Sequence, residues 1–160
     1  MNTKLPILLI FTFFSLLCFG QKKGEINWLN FEQLEDSLQA KPKKTFIYFY
    51  ADWCVYCKKM ERNAFRNPAV TEKLHSNYYA VKMNAESTDT IHFDGQKFYN
   101  LQAETQRNGI HAIPLLLASR KNREFSLPAI LVLDENFKVK DRKFEYLTSE
   151  KLKKLMSEKD

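Results

Sequence analysis

Two cysteines three residues apart, Cys54 and Cys57, are the side chains of this sequence best suited to chemistry. Such a pair can ligate a metal or cycle between dithiol and disulfide, and its surroundings decide which. A structural zinc site takes four ligands, usually with a second pair at similar spacing. The other candidates, His75, His92 and His111, stand far apart in the chain and supply no such pair. They read as surface or loop residues, and no metal is expected. The flanks favour redox chemistry instead. Thr45 to Tyr50 is an apolar, aromatic run that reads as a buried strand, and Lys58 to Phe65 reads as a helix. A helix start carries unpaired N–H groups and the positive end of the helix dipole. A Cys54 thiolate at that end is stabilised, its pKa falls, and it becomes a nucleophile near neutral pH. Cys57, one turn on along the same face, is positioned to close a disulfide with it. Lys58 and Lys59 add positive charge nearby.

The elements that must hold this pair follow from the patterning. Ile26–Leu29 reads as a short first strand. Asn30 and Gln33 have capping-box spacing, and Phe31, Leu34 and Leu38 recur at helical intervals, so a helix is expected over 31–39. Residues 45–51 are apolar on both faces, as a central strand covered by helices must be. Asn67-Pro68 restarts a helix to about Leu74, and Tyr78–Asn84 is the next strand. This β-α-β-α-β order predicts an α/β domain with parallel central pairing. Asp94-Gly95 marks the turn of a hairpin over 91–99, and 109–119 reads as a helix. Residues 129–133 form a strand and 137–144 its antiparallel partner at the sheet edge. Thr148 then opens a last helix with Leu152, Leu155 and Met156 inward.

Composition bounds the rest. The chain has 160 residues, 44% hydrophobic and 14% aromatic, which suits one globular domain and not a disordered chain. The net charge of +6 comes from scattered lysines with no nucleic-acid motif beside them, so no nucleic-acid partner is expected. Residues 1–20 read as a signal peptide. Lys4 is followed by apolar Leu5 to Leu17 and then Cys18-Phe19-Gly20, with a cut expected before Gln21. The apolar run falls short of the ~20 residues that span a bilayer. The expectation is therefore a periplasmic or secreted domain over 21–160 with no stable membrane insertion after cleavage. Loss of Cys18 leaves one cysteine pair, closing a loop of two residues. So short a loop hardly constrains the unfolded chain, which points to reactivity as its purpose.

Asp52-Trp53-Cys54-Val55-Tyr56-Cys57-Lys58, with Glu61 and Phe65-Arg66-Asn67-Pro68-Ala69-Val70, resembles the thioredoxin superfamily. The stretch is most similar to the C-terminal domain of the disulfide reductase DsbD and to exported thioredoxin-like proteins of Bacteroidetes-type bacteria. The resemblance covers most of 26–156. It implies a thioredoxin fold: a central mixed sheet flanked by helices, with an insertion at about 85–126 before the cis-proline strand. It implies that Cys54 and Cys57 are catalytic and that Trp53 belongs to the motif. Pro128 corresponds to the cis-proline whose loop lies against the dithiol and meets the substrate chain, although Leu127 is an unusual residue before it. Thioredoxins carry a buried aspartate six residues before the first cysteine, where this chain has Tyr48, a poor base at neutral pH. Two readings of Glu61 stand side by side: a substitute acid near the dithiol, or a solvent-exposed helix residue. The implied function is an exported thiol–disulfide oxidoreductase, a reductase of disulfides in other exported proteins. It needs no cofactor but requires an electron donor in the membrane. The alternatives are a disulfide oxidase or isomerase, and a non-catalytic binding module.

Overall fold

The computed structural model describes residues 24–157. The expected signal peptide, residues 1–20, lies outside the described residues. Strand β1 (Trp28–Leu29) leads into helix α1 (Phe31–Ala40), which opens with the expected capping box. The Asn30 side chain accepts the Gln33 N–H, and the Gln33 side chain accepts the Asn30 N–H. Strand β2 (Thr45–Tyr50), helix α2 (Val55–Arg62) and a short 3-10 turn (Ala64–Arg66) follow. Helix α3 (Pro68–Asn77) starts at Asn67, whose side chain accepts N–H bonds from Ala69 and Val70, with Pro68 where its missing N–H costs nothing. Strand β3 (Tyr79–Asn84) precedes a hairpin, β4 (Ile91–Phe93) and β5 (Gln96–Phe98), in which Asp94 and Gly95 both take positive φ. That is the geometry an Asp-Gly turn supplies at least cost. Helix α4 (Ala112–Ala118), strands β6 (Ala129–Leu133) and β7 (Val139–Lys143), and helix α5 (Ser149–Leu155) complete the chain.

The main sheet has the order β1-β3-β2-β6-β7. Pairings β1–β3 and β2–β3 are parallel, whereas β2–β6 and β6–β7 are antiparallel. It is therefore mixed, with β2 at its centre and the expected parallel pairs on one side. Strict alternation along β2 builds two cores. Phe46 and Tyr48 face the layer of α2, α3 and α5, together with Cys54, Cys57, Met60, Val70, Leu152 and Leu155. Ile47 and Phe49 face α1 and α4, with Phe31, Leu34, Met83, Ile113 and Leu131. Each such side chain, fully buried, contributes about 1.5–3 kcal/mol.

Two expectations need correction. Helix α2 begins at Val55, not Lys58. Val55 and Tyr56 have weak intrinsic helix preference, but Cys54 acts as the N-cap and starts the helix through them. His111 is not a surface or loop residue: it is fully buried and caps α4. His75 and His92 are exposed.

Candidate active site

Strand β2 ends at Tyr50, and the chain turns through Ala51-Asp52-Trp53 so that Cys54 lands at the head of α2. A disulfide joins Cys54 to Cys57, with their Cα atoms 5.2 Å apart. The Cys57 N–H donates to Cys54 Sγ at 3.1 Å, and the Cys54 carbonyl accepts the Lys58 N–H. The first sulfur thus sits where a helix start directs positive potential. Both cysteines are nearly sealed, at 3% and 1% exposure, yet Trp53, Val55 and Tyr56 around them are 59%, 70% and 60% exposed. The sulfurs lie at the floor of an apolar rim. Lys58 and Lys59 are exposed, and the Lys59 ammonium lies over the Tyr146 ring, which in turn packs near Tyr56.

Beneath the disulfide the site is aromatic. Tyr48 is fully buried in the cluster that holds both cysteines, with the Phe65 ring at 4.9 Å and Tyr50 stacked at 5.9 Å. Burial first, and then the neighbouring Glu61 and Tyr50, push the Tyr48 hydroxyl pKa far upward, so it stays protonated at any working pH. Glu61, one turn beyond Cys57, forms an ion pair with Lys82 at 2.8 Å, and the Lys82 ammonium also lies 4.4 Å from the centre of the Tyr50 ring. Both charged side chains keep partial contact with solvent.

The Leu127–Pro128 bond is cis, immediately ahead of β6. Pro128 is buried, and Leu127 packs against the cluster that contains Cys54 and Cys57. The sequence reading missed Lys82 and Glu86. Lys82 has a signal: it is a cation inside a strand whose neighbours Val81 and Met83 are buried. Glu86 has none. It lies just past β3, where its carboxylate accepts the Trp53 indole N–H at 2.7 Å.

A family model for a thioredoxin-like domain matches residues 31–158. The chain belongs to the thioredoxin-like family. Within that family it is similar to the thiol:disulfide interchange protein DsbD of Vibrio vulnificus, 35% identical over 95 residues. That alignment covers 57% of this chain and 12% of the relative, so the chain spans a small part of that protein's length. Its backbone resembles a DsbH oxidoreductase, with a TM-score of 0.54 and 18% identity over 83% of both chains. A disulphide-isomerase candidate from Bacteroides thetaiotaomicron gives a TM-score of 0.56 at 17% identity, over 88% of this chain and 99% of that one. At such identities these structures show the thioredoxin fold alone. The family and the joined Cys54–Cys57 pair make this chain a thiol–disulfide oxidoreductase. No helix of the described residues is long and apolar enough to cross a membrane.

Proposed function

We propose that the protein is exported, with signal cleavage before Gln21, and reduces disulfides in other exported proteins of the periplasm or the secreted space. In the reduced form the Cys54 thiolate attacks a substrate disulfide, forms a mixed disulfide and releases the first substrate thiolate. Cys57 then attacks Cys54 Sγ, expels the second substrate thiolate and closes the Cys54–Cys57 disulfide. Two electrons pass to the substrate, and a membrane dithiol donor restores them. Pro128 and Trp53 line the approach of the substrate chain, Glu61 serves proton movement near the dithiol, and the insertion at about 85–126 shapes partner choice. The observation that carries the assignment of roles is the bond from Cys57 N–H to Cys54 Sγ, because it favours the thiolate at Cys54 and not at Cys57.

The reducing direction is supported by what surrounds that sulfur. One backbone N–H and a helix start stabilise a thiolate, but the floor is apolar and Lys58 and Lys59 are screened by solvent. The reduction potential should therefore fall nearer thioredoxin's, about −270 mV, than the about −120 mV of DsbA. Equilibration with glutathione, followed by Trp53 fluorescence, measures it. A value close to that of DsbA would replace the reductase with an oxidase or isomerase. Trapping assigns the two sulfurs: Cys57→Ala should accumulate mixed disulfides with its substrates and Cys54→Ala few. Equal trapping would overturn the roles.

A further inference from the structure

Opening the disulfide creates a problem that the oxidised structure already displays. Cys57 Sγ belongs to a residue with 1% exposure, so on reduction its thiol or thiolate has little access to water. A buried anion without a partner is costly, and the resolving step requires that anion. One polar group in the same buried cluster is free to answer it. The Tyr48 hydroxyl is buried and has no hydrogen-bond partner among the described residues. A buried hydroxyl left unpaired costs about 1–3 kcal/mol, so its persistence asks for a state in which it is paired. Tyr48 sits on the face of β2 that is turned to α2. On that helix Cys57 and Glu61 are one turn apart and share a face, and Tyr48 lies close enough to Glu61 to feel its charge. The charged and titratable groups around the hydroxyl are Tyr50 on its own strand, Glu61 on α2 and Lys82 on β3.

We propose that Tyr48 is a positioning residue of the reduced enzyme: its hydroxyl donates a hydrogen bond to the Cys57 sulfur and favours the thiolate that resolves the mixed disulfide. The inference rests on the redox role proposed above. Because Tyr48 stays protonated, it acts as a donor and never as the base. The proton leaving Cys57 passes to the Glu61–Lys82 pair, which reaches solvent. When Cys57 closes onto Cys54 the sulfur ceases to be an anion, the bond is lost, and the hydroxyl returns to the unpaired condition seen here.

Tyr48→Phe removes one oxygen and leaves the packed ring. Two readouts separate this role from a structural one. In the oxidised protein, thermal stability should be unchanged or higher, because an unpaired hydroxyl is gone. In the reduced protein it should fall. The equilibrium with glutathione should shift about tenfold toward the disulfide, a potential lower by about 30 mV. Equal stability changes in both oxidation states, or an unmoved equilibrium, would overturn the proposal. Should Tyr48→Phe fail to fold, 3-fluorotyrosine at position 48 decides, because its more acidic hydroxyl is a stronger donor of nearly the same size. It should lower the Cys57 thiol pKa measured in the Cys54→Ala background, and an unchanged pKa would overturn the proposal. If the wild-type pair does not exchange with glutathione at all, the redox role falls and this inference with it. If the wild type exchanges and Tyr48→Phe behaves like it, only this inference falls.

Discussion

On one face of β2, Cys54 Sγ is capped by an N–H three residues away; on the other, the His111 ring is held by the carbonyl of Asp89, 22 residues upstream. The dithiol face is assembled from a continuous stretch, β2 to α2, and its key contacts close within a helical turn. The insertion face is assembled from groups that meet only after the chain has folded back. His111 N–H donates to the Ala85 carbonyl, and the buried Asn100 amide donates to the carbonyls of Gly109 and Ser87. The hairpin is pinned to α1 by the His92 N–H donating to Glu32 and by Phe93 packing edge-on against Phe31. The difference teaches that the reactive pair can be read locally, whereas its surroundings cannot. It also implies that the two faces can be damaged separately.

The largest test of that separation is Gly109→Ala. A Cβ at Gly109 would lie 2.4 Å from the Gln102 carbonyl carbon and 2.5 Å from the Ala103 nitrogen, both backbone atoms. Overpacking of this kind costs about 1–3 kcal/mol. A thermal melt should show the loss while the potential of the Cys54–Cys57 pair stays at its wild-type value. A shifted potential would show that the faces are coupled after all.

A smaller effect should come from pH. His111 Nδ1 accepts the Ile113 N–H at 3.2 Å, and Nε2 is within bonding distance of the Asp89 carbonyl, so the neutral ring with its proton on Nε2 satisfies both. Burial lowers the His111 pKa and outweighs the bonds to Asp89 and Phe98 that raise it. Below the unfolded value, ~6.5, the unfolded chain binds a proton that the folded one resists. Stability should therefore be full above that pH and decline as pH falls toward the lowered folded value, by at most about 1.4 kcal/mol per pH unit. Denaturant titrations between pH 7.5 and 5 measure it. His111→Gln should flatten the profile; an unchanged slope would assign the loss to other groups.

The smallest effect concerns a side-chain contact between the dithiol loop and the segment just past β3, the Trp53 indole on Glu86. Glu86→Ala should cost under about 1 kcal/mol, as an exposed hydrogen bond does, and alter Trp53 emission. A larger loss would mean that the insertion is docked chiefly through the dithiol loop, and the separation would have to be abandoned.

Legibility in the sequence follows the same division. The Asn30–Gln33 cap, the Asp94-Gly95 turn and the doubly buried β2 each announce themselves within a few residues, and all are present. The start of α2 is not legible in the sequence, because Val55 and Tyr56 carry little helical preference and the cap that overrides it comes from a cysteine, not one of the usual capping residues. The burial of His111 was invisible because nothing near it in sequence reports Ala85 or Asp89. The Glu61–Lys82 pair depends on the β2–β3 register, which sets Lys82 opposite Tyr48.

The Cys54–Cys57 bond has a further consequence in terms of capacity. A single cysteine pair holds one pair of electrons when it is reduced to the dithiol, and the chain beyond residue 23 contains no further cysteine to hold another. In the reducing direction proposed above, the protein is a carrier that is emptied by every event it performs. Its steady flux cannot exceed the frequency with which it is recharged, however fast its own exchange steps become. The closure spans so few residues that opening it frees little chain entropy. Loading or spending the carrier therefore changes the entropy of the unfolded chain little.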